Sequence, residues 1–462
     1  MNKPSFAGKR VLLLQGPVGP FFYNLAKDLR AQGATVFKFN FNAGDWLFYP
    51  RNAQAFRGDL SQWPAVLEAF VHKHQIEAVL LFGDCRPVHA PARALAAQLG
   101  LALGVFEEGY LRPNHVTLEG GGVNAYSRLA GLAASNAMPT VAAEPCAAAA
   151  CAAEPAQPVG NAFWHSAAWG MLYFLAAWLG QHCWNHALHH RRMSVLDSPW
   201  WWLSFGRKFW FKQRQRGIQE WLCQAKQQQF FLVPLQVYND AQILVHSDYA
   251  SVVHFIAAVM KSYAQALARD SALAECVLVF KHHPMDRGHR YYGRAIERLA
   301  RRLGLQGKVL YIHDQHLPSL LKAARGVVVV NSTVGFSALQ HGAAVKVCGR
   351  ALYDAAGLTF AGTLAQFWSQ AHAMRPCRAQ VRAVKNTLLL HTQLNGSFYR
   401  KLRGHVSHTG CGDLAVMAQR LWPSAQANSL RVQAMCQRRC APTDKAPSVH
   451  ALNCCEHEHG SV

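Results

Sequence analysis

Residues 275–288 read ECVLVFKHHPMDRG, and residues 326–342 read GVVVVNSTVGFSALQHG. Each is a short, wholly apolar run that stops abruptly in polar residues. Runs of this length, rich in Val, Leu and Phe, suit strands buried on both faces of a parallel sheet. Pro284 ends the first run. In the second, Asn331, Ser332, Thr333 and Gly335 open a helix.

Working outward, the same strand-turn-helix theme recurs on both sides. Ahead lie the strand QFFLVPLQV and the helix SVVHFIAAVMKSYAQALA. Between the two opening runs come the helix RAIERLARRLG, the strand KVLYIHD and the helix LPSLLKAA, and after them the helix FSALQHG and the strand AAVKVCG. The amino-terminal part repeats the pattern. RVLLLQG, ATVFKFNF, QIEAVLLFGD and LALGVFEEG read as strands, with PAVLEAFVHKH and APARALAAQLG as helices between them. Strands alternating with helices predict an α/β protein with two doubly wound, Rossmann-like domains facing a cleft. Ligands of such sheets sit at the carboxyl ends of the strands.

The expected organisation is an amino-terminal domain over 1–137, an Ala/Pro-rich flexible insertion over 138–160 and an aromatic, basic region over 161–217. A carboxyl-terminal domain over 218–370, helices over 371–424 and a polar, Cys- and His-dotted disordered tail over 425–462 follow. With 51% hydrophobic and only 16% charged residues, the bulk of the chain is globular. Lys and Arg number 47 against 25 Asp and Glu, a formal charge of +22. That surplus calls for an anionic partner: nucleic acid, a nucleotide-activated substrate or an anionic membrane surface. No basic recognition motif accompanies it, so nucleic acid is not expected.

The cysteines number 13, an odd count for a disulfide framework, and Cys85, Cys223, Cys276 and Cys348 stand in apolar or strand-like contexts. There a reduced Cys acts as a small core residue. No early stretch has the pattern of a cleaved leader. The expectation is a reduced, cytoplasmic protein. The segment SAAWGMLYFLAAWLG, residues 166–180, is shorter than the ~20 apolar residues of a spanning helix. Its flanking Trp, His and Arg suit a helix lying at a lipid interface, and a buried core helix suits the apolar run equally. Between His186 and Gly217 seven Lys/Arg stand against one acid, Asp197, interleaved with Trp200, Trp201, Trp202, Phe205, Phe209, Trp210 and Phe211. This pattern predicts peripheral attachment to an anionic membrane.

Four strand ends carry chemistry. Lys281, His282 and His283 can donate to phosphate oxygens, and can equally be surface residues. The helix start at Asn331, Ser332 and Thr333 offers backbone N–H groups to an anion, or is an ordinary cap. In PLQVYNDAQI, Gln236, Asn239 and Asp240 cluster after a strand, where a carboxylate serves as nucleophile or base, or caps the next helix. In GVFEEGYLRPNHVTLE, the paired Glu107 and Glu108 precede Tyr110 and Arg112. These residues suit acid/base work with an arginine for an acidic sugar, or form a solvated turn. Asp84 and Arg86 mark a neighbouring edge. No Asp-x-Asp pair follows a strand, so the pattern calls for no metal and no cofactor.

The stretches LLLQGPVGPFF, FNAGDWLFY, FEEGYLRPNHVTLE, PLQVYNDAQI, KHHPMDRG and NSTVGFSALQHGAAVKVCGRALYD, between Lys9 and Trp368, resemble the capsule polysaccharide synthesis/export proteins of the KpsS/LipB type from Gram-negative bacteria. The resemblance implies a retaining, metal-independent β-Kdo transferase of GT-B-like fold. It would use CMP-β-Kdo to place the first Kdo on lyso-phosphatidylglycerol at the cytoplasmic face of the inner membrane, beside other capsule synthesis/export proteins. It also implies roles. His283 and Pro284, with Lys281, Ser332, Thr333 and Asn331, would hold the donor nucleotide. Asp240 would be the active-site carboxylate, with Glu107 or Glu108 across the cleft. From the residues themselves, Arg112 suits the carboxylate of the sugar, and Gln236 and Asn239 are expected to bind substrate. A non-catalytic assembly or export partner that keeps the fold is the alternative. The Ala/Pro-rich insertion and the Cys/His tail are outside the family pattern.

Overall fold

The computed structural model describes residues 4–129, 156–185, 188, 198–238 and 247–422. The expected tail over 425–462 and most of the 138–160 insertion lie outside these residues.

The first sheet is built from β1 (Arg10–Leu13), β2 (Thr35–Asn40), β3 (Gln54–Ala55), β4 (Ala78–Phe82), β5 (Ala102–Glu108) and β6 (His115–Gly120). Helices α1 (Phe21–Ala31), α2 (Ala43–Phe48), α3 (Trp63–His74) and α4 (Ala90–Leu99) connect the strands. Two aromatic helices follow, α5 (Phe163–Leu179) and α6 (Ser198–Arg214), then the short α7 (Ile218–Cys223).

The second sheet comprises β7 (Phe230–Pro234), β8 (Val277–Lys281), β9 (Val309–Ile312), β10 (Gly326–Val329) and β11 (Val345–Val347). Its helices are α8 (Val252–Arg269), α9 (Gly293–Arg302), α10 (Leu317–Ala323), α11 (Thr333–Gln340) and α12 (Leu364–Gln370). The chain then runs through α13 (Arg378–His391), β12 (Gln393–Asn395) and α14 (Leu414–Leu421).

The strand orders are β12-β6-β5-β4-β1-β2-β3 and β11-β10-β7-β8-β9. Within each sheet the parallel strands follow the doubly wound order 3-2-1-4-5. The order reverses between β1 and β4 in one sheet and between β7 and β10 in the other. Such reversals are where ligands of doubly wound sheets bind.

Alternation along the strands explains why both faces of each sheet are covered. Val11 and Leu13 enter one core and Leu12 and Leu14 the opposite one. In the second sheet Leu232 and Val279 face one side, and Phe231, Val233, Leu278 and Phe280 the other. Successive side chains of a strand point to opposite faces, so a continuous apolar run is what two helix layers require. Each such side chain contributes about 1.5–3 kcal/mol on full burial.

Two strands were not legible as such. β6 pairs antiparallel with β5, and β12 pairs antiparallel with β6. Through β12 the chain returns from the second sheet to the edge of the first. Arg420 of α14 fastens the return, its guanidinium donating to the carbonyls of Leu118 at 3.1 Å and Gln393 at 2.8 Å. Asp28 of α1 accepts from the backbone N–H and the hydroxyl of Thr409, each at 2.9 Å. At the end of the Ala/Pro-rich stretch, the Gln157 N–H donates to Asn395 Oδ1 and the Val159 N–H to Asn114 Oδ1.

Helix α5 lies across α2. Tyr173 is its buried residue, and a Cβ added at Gly44 of α2 would stand 2.7 Å from the Tyr173 ring and carbonyl. Only a glycine lets the two helices approach this closely. The outer surface of α5 is apolar and exposed at Phe163, Trp164, Met171, Leu172, Leu175 and Leu179. Among the described residues no helix is long and apolar enough to cross a membrane.

Candidate functional site

The carboxyl ends of β7 and β10 meet at the second sheet's reversal. Gln236, just past β7, donates from Nε2 to Asn331 Oδ1 at 3.1 Å. Both residues are buried. Ser332 caps α11, its Oγ accepting from the Val334 N–H at 3.2 Å, and Thr333 begins the helix. Gly335 sits against Tyr353, whose hydroxyl donates to the Ser332 carbonyl. A Cβ at Gly335 would meet the Tyr353 hydroxyl at 2.2 Å, so the tight first turn of α11 depends on that glycine.

Beside it, the 281–288 stretch folds into a hydrogen-bonded knot. Pro284–Asp286 form a single 3₁₀ turn capped by His283, whose Nδ1 accepts from the Met285 N–H at 3.2 Å. Lys281 is buried and donates to the His313 carbonyl at 2.8 Å. Burial pulls its ammonium down to about 8, against the opposing pull of Asp314. One Lys281 donor is thus committed inside the domain.

His282 and His313 are buried side by side, ring centroids 5.0 Å apart, and burial pushes both imidazoles down to about 3. Both are therefore neutral. Arg287 pairs with Asp314 beneath them. Asp286 is fully buried and accepts from the Tyr238 N–H at 2.9 Å. Tyr238 is the last described residue before Asn239 and Asp240, which lie outside the described residues.

On the facing side, Glu107 and Glu108 end β5. Glu107 Oε1 accepts from the Glu108 N–H at 3.0 Å, and Glu108 Oε1 from the Tyr399 hydroxyl at 3.0 Å. Burial pushes the Glu107 carboxyl up to about 7. Glu108 and Asp84 add to the rise, and the Glu108 N–H and Arg86 oppose it. A carboxyl in that range exchanges a proton near neutrality, the property wanted of a general base or acid. A Cβ at Gly83 would lie 3.5 Å from Glu107 Oε2 and 3.8 Å from Arg86 Nε, so both groups flank the same turn. Arg86 in turn donates to Gln15 Oε1 at 2.8 Å. Buried Asp84 accepts from the Val123 N–H. Arg112 is exposed, its Nε donating to the Gly109 carbonyl at 3.3 Å, and the Arg112–Pro113 peptide is cis.

The two halves share a cleft. Tyr110 and Asn124 from the first sheet's loops line it together with Asn331, Thr333 and Arg350 from the second. Tyr110 is fixed there because its hydroxyl donates to buried Glu119 at 2.9 Å and accepts from the Asn124 N–H at 2.8 Å. The sequence therefore brings Asn331 and Thr333 to this cleft, with Gln236 and Ser332 beside it. Glu107 and Glu108 stand at the neighbouring end of β5.

Asp286, Arg350 and Tyr399 were not anticipated. Asp286 and Arg350 each follow a buried strand, which was the available signal. Tyr399 comes 291 residues after Glu108, and nothing local announces it.

Residues 77–399 match the family described as capsule polysaccharide biosynthesis protein. The capsule polysaccharide export protein KpsS of Escherichia coli is 39% identical over 406 residues, covering 85% of this chain and 97% of its own. The capsule polysaccharide modification protein LipB of Neisseria meningitidis serogroup B is 38% identical over 404 residues, covering 86% and 93%. Among solved structures, KpsC of Thermosulfurimonas dismutans, a β-Kdo 2,7-transferase, is similar at 15% identity and a TM-score of 0.36, covering 83% of this chain and 97% of that one. With residues 77–399 matching the family pattern and KpsS matching over 85% of the chain, the chain belongs to the capsule polysaccharide biosynthesis protein family.

Proposed function

We propose that this protein is a retaining glycosyltransferase that moves β-Kdo from CMP-β-Kdo to a lyso-phosphatidylglycerol acceptor, beginning the lipid-linked linker of a capsular polysaccharide. One observation carries the reading. The second sheet's reversal, rich in anion donors, opens onto a cleft whose opposite wall includes Tyr110, and the end of β5, three residues ahead of Tyr110, carries a carboxyl raised to about 7.

In this reading His283, the Ser332 hydroxyl and the first turn of α11 hold the CMP phosphate. Donors preorganised around a departing phosphate stabilise the charge that develops on it. Retention takes two displacements. In the first, the Asp240 carboxylate bonds to the anomeric carbon, and the bond to the phosphate oxygen breaks with its electron pair leaving on CMP. In the second, an acceptor hydroxyl oxygen attacks that carbon, Asp240 departs as a carboxylate, and Glu107 takes the hydroxyl proton. Arg112 is assigned to the Kdo carboxylate, which its guanidinium can hold in bidentate fashion. No metal enters these steps.

The exposed apolar surfaces of α5 and α6 hold the enzyme on the anionic inner face of the membrane without crossing it. Leu203, Phe205, Phe209 and Trp210 of α6 are exposed beside Lys208, Lys212 and Arg214. The side chains of Trp200, Trp201 and Trp202 are not among those described. Other capsule synthesis/export proteins are the expected neighbours on that surface.

The test is incubation of purified protein with CMP-Kdo and a defined lyso-phosphatidylglycerol, read by mass spectrometry. One added Kdo residue per lipid is expected. Failure to form that product while the protein still binds CMP would favour a non-catalytic assembly partner. Asp240→Asn should abolish product and preserve CMP binding, because it removes a charge at almost constant shape.

A further inference from the structure

Past the carboxyl ends of β1 and β2 lies a second concavity, apart from the donor-side residues. Gly16, Gly19, Tyr23, Lys38, Asp45 and Tyr173 are among the residues lining it. Its polar wall is rigid. Asp45 accepts from Gln15 Nε2 at 3.1 Å, from the Phe41 N–H at 3.0 Å and from the Tyr173 hydroxyl at 2.9 Å. Asn42 donates to the same hydroxyl at 2.8 Å. The Asp45 carboxylate is thus already occupied by donors from just past β1 and β2 and from α5.

Lys38 is the unusual member. It is 4% exposed, donates to the carbonyl of its neighbour Phe39, and makes no ion pair among the described residues. Asp45 acts on it only through space, and burial brings its ammonium down to about 8. A desolvated ammonium with donors to spare is costly unless something anionic joins it. Two further donors stand near. Helix α1 opens after the turn at residues 16–20 without a side-chain cap. The Trp169 ring packs against Gly19, and its indole N–H is buried with no partner among the described residues.

The elements walling this concavity turn apolar side chains outward. Trp46 and Leu47 of α2 are 52% and 40% exposed, and Leu172 and Leu175 of α5 are 45% and 47% exposed. A donor-rich hollow, with Lys38 set beside a carboxylate whose acceptors are already taken and bordered by exposed hydrocarbon-seeking side chains, matches an amphiphile with an anionic head. It also adjoins the catalytic carboxylates. Arg86, which flanks Glu107, donates at 3.3 Å to the carbonyl of Gly16 in the lining.

We propose that this concavity is the acceptor subsite, taking the glycerophosphate headgroup of a single-chain membrane phospholipid. Lys38, the turn before α1 and the Trp169 indole meet the phosphate, and α2 and α5 seat the start of the hydrocarbon chain. The word acceptor rests on the glycosyl-transfer reading above; the binding of the headgroup does not.

The experiment measures binding of a short-chain lyso-phosphatidylglycerol, below its micellar concentration and without donor, by calorimetry, with glycerol 3-phosphate and CMP as parallel ligands. Lys38→Met keeps the volume and removes a buried charge, so the fold should hold or gain stability. Trp169→Phe keeps the ring and removes the N–H. The lysolipid should bind the wild type much more tightly than glycerol 3-phosphate. Lys38→Met should weaken lysolipid binding at least tenfold and Trp169→Phe severalfold, with CMP affinity unchanged in both. Lysolipid affinity within twofold of wild type in both folded variants would overturn the proposal. Equal affinity for glycerol 3-phosphate would overturn the lipid assignment in favour of a soluble phosphate. Lys38-dependent lysolipid binding by a protein that transfers no sugar would support the subsite and remove the transfer reading. Normal transfer with unchanged lipid KM in Lys38→Met would do the reverse.

Discussion

Gln236 Nε2 donates to Asn331 Oδ1 at 3.1 Å, joining the ends of β7 and β10 where the second sheet reverses its order. The bond fixes the entrance to α11 and hence the direction of its first N–H groups. His283→Ala and Ser332→Ala should each weaken CMP binding about tenfold or more, the scale of a hydrogen bond to a charged group. Melting temperatures should stay near wild type. Calorimetric titration with CMP checks this, and unchanged affinity in both variants would move the nucleotide elsewhere.

The raised Glu107 carboxyl sets a pH profile. Acting as a base, it must be deprotonated, so kcat/KM should climb with pH, with a midpoint near 7, and level off above it. Asp84, Arg86 and Glu108 face it, and their charges tune the midpoint. Glu107→Gln should flatten the climb and lower the rate by roughly 10²–10⁴-fold, the range of a lost general base. A rate that falls as pH rises through 7 would make Glu107 an acid instead.

His282 and His313 should make the protein sensitive to acid. Their folded values are depressed to about 3, against an ordinary value of 6.5. Between those limits the unfolded chain binds more protons than the folded one, so stability falls as pH falls below 6.5. Thermal melts from pH 7.5 to 5 should show a decline that His313→Phe makes shallower. An identical slope in that variant would show that other groups dominate.

Membrane attachment is testable on α6. Lys208, Lys212 and Arg214 are exposed, whereas Arg207 donates to the Arg287 carbonyl and is best left in place. Replacing those three with Gln should weaken binding to anionic vesicles roughly a hundredfold, at about 1 kcal/mol per basic residue. Transfer to a vesicle-borne acceptor should slow with it, while a short water-soluble acceptor is affected much less. Equal losses on both would make the region structural.

The parallel strands were legible because burial on both faces writes itself as an apolar run, as in VLVF before Lys281. The antiparallel strands were not. HVTLEG and QLN are short, and β12 meets β6 only because the chain returns across some 270 residues, as the Gln393–Thr117 contact at a separation of 276 shows. For the site, strand-end polar residues such as Asn331, Ser332 and Glu107 announced themselves by position. Tyr399 and Tyr173 did not, since they reach Glu108 and Asp45 from 291 and 128 residues away. Hydrogen bonds of that span depend on the finished packing, which local pattern does not encode.

The return of the chain through β12 has a consequence for dissection of the molecule. The second sheet is threaded into the first like a guest between two anchored ends, since β6 precedes it and β12 follows it. A single proteolytic nick after β11 would therefore not release two stable fragments. It would leave the amino-terminal piece lacking its outermost strand and the α14 cover, and a two-fragment complementation assay should need both pieces to restore either one. Lifting out the second sheet intact requires a pair of cuts, one before β7 and one after α12. Rocking of one half over the other must bend both crossing strands of chain together.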